Sequence, residues 1–244
     1  MELRPSTAEE LIALNTLRQK LSELDKHDEL RRVRESREEV IGHYQSIFAT
    51  EHLPELTAEE FLSFLNFKNN QHLTGINRGQ NPKSMTSDMP TLRTALGILL
   101  DETRPLAERY TEAISMVNGL DRATATPILL VSHPDRYGVW NGKSEPGLRS
   151  LQLYPELGSK ATSGEQYAAV NDVLNGLASE LDVDLWTLDI LWELIKQDNQ
   201  TTPPLAPPFD AIFADREQAE VAFAFLKETV EILGGGPNDE RFSL

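Results

Sequence analysis

Apolar positions recur at helical spacing along most of this chain. Leu14, Leu17, Leu21 and Leu24 stand at alternating three- and four-residue intervals, a narrow stripe that fits a helix lying on its own domain or on a second copy of the chain. Thr7-Ala8-Glu9-Glu10 reads as the capping box that opens it. A second helix, from about Asp28, puts Val33, Val40, Ile41, Tyr44, Ile47 and Phe48 on one side. Thr57-Ala58-Glu59-Glu60 is another capping box, ahead of an apolar run. Helices are expected at about Pro90–Asp101, Pro105–Met116, Pro146–Leu153, Asp184–Gln197 and Asp215–Leu233, with one capped by Ser163-Gly164-Glu165-Gln166. Trp186 and Trp192 read as core. Strand-like alternation is missing from the sequence, so the fold expected is all-α, a two-lobed helical bundle. The expected segments are N-terminal helices over 1–50 and a core over 51–201. A Pro-rich crossing segment with a last helix and tail then covers 202–244.

Composition narrows the class. The 39 acidic against 23 basic residues give a net charge of −16, which argues against a general polyanion binder. The absence of cysteine excludes disulfides, thiolate ligands and a Cys nucleophile. The five histidines are scattered and form no metal motif, so neither a metal nor another cofactor is expected. The N-terminal sequence is neither a signal nor a transit peptide, no apolar run reaches membrane-spanning length, and the location expected is the cytoplasm. Arg31, Arg32, Arg34 and Arg37 are interleaved with Glu29, Glu35, Glu38 and Glu39, which reads as a salt-bridged helix face rather than a phosphate patch.

One region departs from this acidic background. Asn66 to Arg93 holds Lys68, Arg78, Lys83 and Arg93 against a single acid, Asp88, and is rich in amides. Gly75, Gly79 and Pro82 mark it as loop. Amide side chains offer a donor and an acceptor each, and so suit base edges or sugar hydroxyls. Asn69, Asn70, Gln71 and His72 are therefore candidates to line a pocket.

Asn118 to Ser144 carries the candidate chemistry. Asn118-Gly119 is a turn signal, followed by Leu120-Asp121-Arg122-Ala123-Thr124-Ala125, the apolar run Ile128 to Val131, the breakers Pro134 and Gly138, and then Val139-Trp140-Asn141. This stretch resembles the helix-hairpin-helix DNA glycosylases, the superfamily that contains endonuclease III. Their signature is a glycine hairpin, an apolar helix, a Gly/Pro loop and a catalytic aspartate. Aligned without a gap, Asn141 falls at the aspartate's position and Ala123 at that of the Schiff-base lysine.

The resemblance implies a helix-hairpin-helix motif whose residues Gly119, Leu120, Arg122, Ala123, Thr124 and Ala125, with Lys143, grip a phosphate of double-stranded DNA. The target nucleotide would flip into a pocket walled by Tyr137 and Trp140 together with the amide-rich loop. Without an amine at Ala123 the enzyme would be monofunctional and leave an abasic site. Asn141 would hold the water through its carbonyl oxygen, and Glu145 could serve as acid or base. Asp121 stands where the family has its second hairpin glycine, and is expected to tolerate a positive φ. The polar loop suggests a bulky polar base such as the glucosylated hydroxymethylcytosine of phage DNA, hence a role in antiviral defence. Two alternatives come from the same residues: a non-catalytic reader of modified DNA, and a helical protein-interaction module, which the charge and the leucine stripe favour. His133, beside Pro134, reads as a structural loop histidine.

Overall fold

The computed structural model describes residues 8–26, 28–66, 69, 70 and 82–201. Among these every regular element is helical, so the chain is all-α. The expectations for Lys68, Gln71, His72, Arg78, Thr7 and the Asp215–Leu233 helix lie outside the described residues. The chain divides into two units, Met1–Gln197 and Asp198–Leu244. Among the described residues, the buried core belongs to the first unit.

Helix α1 spans Ala8–Lys26 and α2 Glu29–Tyr44. Leu14, Leu17 and Leu24 are buried, and α1 packs on α2, so the leucine stripe is spent on the chain's own core. The arginine-rich start of α2 is paired as its sequence suggests: Arg31 bridges Asp28 and Glu35, and Arg32 bridges Glu29. A 3-10 turn, Leu53–Glu55, leads to α3, Ala58–Phe64. The capping box there forms reciprocally. The Thr57 hydroxyl accepts from the Glu60 N–H at 3.2 Å, and the Glu60 carboxylate accepts from the Thr57 N–H at 2.8 Å.

Part of the expected loop is helical: α4 covers Pro82–Met85. Proline suits a first helical turn, and Met85 is carried into the core at 1% exposure. Asp88 then caps α5, Met89–Leu100, by accepting from the Thr91 N–H. Helices α6 (Leu106–Met116), α7 (Arg122–Ser132), α8 (Ser144–Ser150), α9 (Ser163–Leu181) and α10 (Leu185–Thr201) complete the order. The cap of α9 is Thr162, one residue ahead of the position expected, because Glu165 reaches back to the Thr162 N–H at 2.7 Å.

Helix α6 sits between α5 and α9, while α7 packs on α2 and α5. Leu92, Leu96 and Leu99 of α5, Tyr110 of α6, Ile128 to Val131 of α7 and Tyr167 of α9 are fully buried in one continuous core. Trp186 and Trp192 belong to it, as their pattern indicates. A β-carbon on Gly147 would stand 2.6 Å from the Trp192 ring, so glycine is what allows α8 to lie flat on that indole.

Candidate functional site

Helices α6 and α7 are joined by a tight turn, Val117 to Asp121. Its reversal rests on Gly119, whose φ of 95° is open to glycine at little cost. Asp121 does not share that geometry. Its backbone is extended (φ −96°), and its carboxylate caps α7 by accepting from the N–H groups of Ala123 (3.0 Å) and Thr124 (3.2 Å). The expectation of a positive φ at Asp121 is thus corrected: the residue is a helix cap. Two N–H groups expected to face a phosphate are engaged by this carboxylate instead. Leu120, in the same turn, is buried.

From the end of α7 the chain returns through Tyr137 to Asn141 and meets the start of α7 again. The Thr126 hydroxyl accepts from the Trp140 N–H at 3.0 Å and donates to the Arg122 carbonyl at 2.7 Å. The Arg122 guanidinium lies 4.8 Å from the Trp140 ring centroid and is hydrogen-bonded to Glu145. Glu145 also accepts from Arg149 at 3.0 Å. The structure therefore brings Arg122, Thr126, Trp140, Asn141 and Glu145 into one cluster, from positions up to 23 residues apart in sequence.

Asn141 is completely buried. Its side-chain oxygen accepts from the N–H groups of Lys143 (2.7 Å) and Ser144 (3.1 Å), while its own N–H donates to the Ser144 hydroxyl at 2.9 Å. It thereby closes the turn that starts α8. Lys143 points to Glu193, 3.0 Å away. Trp140 is 4% exposed and stacks parallel to Tyr167 at 6.4 Å, and Tyr167 stacks in turn on Tyr110 at 4.7 Å. Burial pushes the Tyr110 phenol above its ordinary range, and the nearby Asp121 adds to it. Among the described residues, neither the Tyr110 hydroxyl nor the Trp140 indole N–H has a hydrogen-bond partner.

The amide-rich loop begins elsewhere. Asn69 donates to the Ser63 carbonyl (2.9 Å) and hydroxyl (3.2 Å) and lines a cavity of about 340 Å3 with His43, Tyr44 and Glu39. Asn70 is buried. Arg93, at the far end of the loop, donates twice to the Leu56 carbonyl, at 3.0 and 2.8 Å. Among the described residues expected in the pocket, Asn69 lines this cavity and Asn141, Trp140 and Tyr137 do not.

Tyr137 belongs to a third group, which sequence reasoning did not assemble. Its hydroxyl donates to Glu102 and accepts from Arg109. Arg109 is 1% exposed and also donates to the Leu99 carbonyl. Arg136 pairs with Glu102, and His133 Nδ1 lies 3.7 Å from the same carboxylate. Burial lowers the His133 pKa from its ordinary value, Arg109 and Arg136 lower it further, and Glu102 opposes them. Burial and then the Glu102 hydrogen bond raise that of Tyr137. Next to this network lies a cavity of about 590 Å3, lined in part by Glu102, Ser132 and His133. Only the neighbouring pair Ser132-His133 hints at it in the sequence, and the reading of His133 as a loop histidine passes it over.

Among the described residues no group of three His, Asp or Glu side chains could hold a metal ion, and no helix is long and apolar enough to cross a membrane. Comparisons with protein-family models, curated proteins and solved structures return no match to this chain.

Proposed function

We propose that this chain is a monofunctional, cytoplasmic DNA glycosylase of the helix-hairpin-helix kind. Its action is to hydrolyse the N-glycosidic bond of a bulky modified base, of which glucosylated hydroxymethylcytosine is the candidate, and to leave an abasic site. What supports this reading is one observation: the start of α7 and the Asn141–Glu145 segment form a single cluster, tied by Thr126, Arg122 and Trp140. A turn that grips the DNA backbone and a residue that acts on the sugar must be held in fixed register, and this cluster fixes it. In the reaction the Asn141 carbonyl oxygen orients a water against the anomeric carbon. The water's oxygen forms the new C–O bond, the electron pair of the broken C–N bond leaves with the base, and the water's proton ends on the base nitrogen that carries that pair, so that the base departs neutral. The Glu145 carboxylate offsets positive charge on the sugar. Because Asn141 is buried, the Val139–Ser144 segment must open for a flipped nucleotide to reach it. The acidic caps and paired cations at the start of α7 imply weak affinity for unmodified DNA.

A second reading is a non-catalytic reader of modified DNA. One observation favours it: the Asn141 side-chain oxygen already accepts two backbone N–H groups. Incubation with DNA containing glucosylated hydroxymethylcytosine and with plain DNA, followed by alkali, separates the two. Alkali-labile breaks in the modified DNA alone support the glycosylase. Binding without breaks supports the reader, and neither binding nor breaks sinks both.

A further inference from the structure

The cavity beside Glu102 stands apart from the Asn141 cluster, and its chemistry differs. It lies between the segment that leaves α2 (Gln45 to Thr50), the second half of α5, the Asp101–Thr103 turn and the end of α7. At about 590 Å3 it falls within the roughly 300–1,000 Å3 typical of small-molecule sites. Its apolar side is made by Phe48, Ala49 and Leu100. Its polar lining comes from Gln45, Thr50, Asp101, Glu102, Thr103 and His133. The Gln45 side-chain nitrogen donates to the Ser132 carbonyl at 3.2 Å, which fixes the amide at the edge.

Charge decides which ligand fits. Among the described residues, no lysine or arginine lines the cavity. The guanidiniums of Arg109 and Arg136 are paired with Glu102, and that of Arg104 with Glu112. Asp101 faces the cavity as a carboxylate held below its usual range by hydrogen bonds from Thr103. Burial keeps the His133 ring from adding a positive charge near neutral pH. A phosphate would meet carboxylates without a cation to receive it. A planar, uncharged ring with donors and acceptors on its edge would meet an apolar side and a polar side.

Gly97 bears on the same point. It lies inside α5 and lines the cavity, and a β-carbon there would meet nothing within 4 Å. Glycine within a helix costs about 0.5–1 kcal/mol relative to alanine, and at this position a larger side chain would project into open space.

We propose that this cavity binds an uncharged nucleoside or free nucleobase and discriminates against the phosphorylated forms. This does not rest on the glycosylase reading, since none of the Asn141 cluster takes part. The test is isothermal titration of the full chain with cytosine, cytidine and adenosine, and with the 5′-monophosphates of both nucleosides. Binding of at least one base or nucleoside in the roughly 0.1–1 mM range is expected for ligands of this size. The corresponding monophosphate should bind at least about tenfold more weakly at low salt. Gly97→Ala, a folded control, should bind as the parent does. Gly97→Phe should fill the cavity and weaken binding at least about tenfold, with the helical circular dichroism unchanged. Thr50→Trp, at the exposed rim, should do the same without touching the core, and serves if Gly97→Phe fails to fold. Absence of binding by all three uncharged probes overturns the proposal. So does equal binding of the monophosphates, or binding that survives a folded blocking variant.

Discussion

The Asn141 cluster and the Glu102 network are both built from buried polar groups, yet they are put together in opposite ways. Around Asn141 the partners are backbone N–H groups and one hydroxyl, so the side chain acts as part of a turn. Around Glu102 the partners are four charged or titratable side chains drawn from two places in the sequence, Arg109 on α6 and the 133–137 segment after α7. The first arrangement fixes the shape of a loop and is nearly indifferent to pH. The second concentrates charge beside a cavity and responds to it.

The sharpest way to break this comparison is Arg109→Met. It leaves Glu102 and the Tyr137 hydroxyl without their buried cation, and a loss of about 3–5 kcal/mol in denaturant unfolding is expected. A loss below about 1 kcal/mol would mean that the network is ornamental to the fold. Asn141→Ala removes a turn acceptor and should cost about 1–2 kcal/mol. On modified DNA the same change should lower the yield of alkali-labile sites by about a hundredfold or more. Asn141→Asp retains the acceptor oxygen, so its melting temperature should stay within a few degrees of the parent; unchanged activity in Asn141→Ala would remove this residue from the chemistry.

His133 gives a smaller effect with a definite sign. Its folded pKa lies below the ordinary 6.5, so the unfolded chain binds more protons in the interval below 6.5. The stability it contributes is therefore complete above about pH 6.5 and declines as the pH falls through the interval beneath it. Melting curves taken from pH 7.5 to 5.5 should fall more steeply for the parent than for His133→Gln, and parallel curves would refute the assignment. Smallest of all, Glu145→Gln should change stability by less than about 1 kcal/mol, because Arg122 and Arg149 are both partly exposed.

The sequence discloses what is local. The Thr57–Glu60 capping box, the leucine stripe of α1 and the buried tryptophans of α10 follow from spacing alone. Spacing also placed Asn141 at the end of the return loop. It could not show that Asn141 is buried, since that depends on the return segment being held to α7, where Thr126 and Arg122 meet its neighbour Trp140. The misjudged cap of α9 turns on which of two adjacent residues, Thr162 or Ser163, Glu165 can reach. The alignment sets Asp121 against the glycine it replaces, whereas a carboxylate two residues before Ala123 is better used as a cap. The Glu102 network escaped because each member has an ordinary reading by itself, and only the packing of α5 and α7 unites them.

Thr126 is the tie that holds the Trp140 backbone to α7, through a single side-chain hydroxyl rather than a strand ladder. Hydrogen exchange can separate the opening of this tie from that of the helical core. Hydrogen exchange at the Trp140 amide reports the first, and exchange at Leu129 or Leu130 reports the second. Replacing Thr126 with valine keeps the volume and should hasten the first while leaving the second nearly unchanged. Thr126 would then be one of the ties, with Tyr167 and Asn171 on Gly138, behind which the protein holds its buried asparagine.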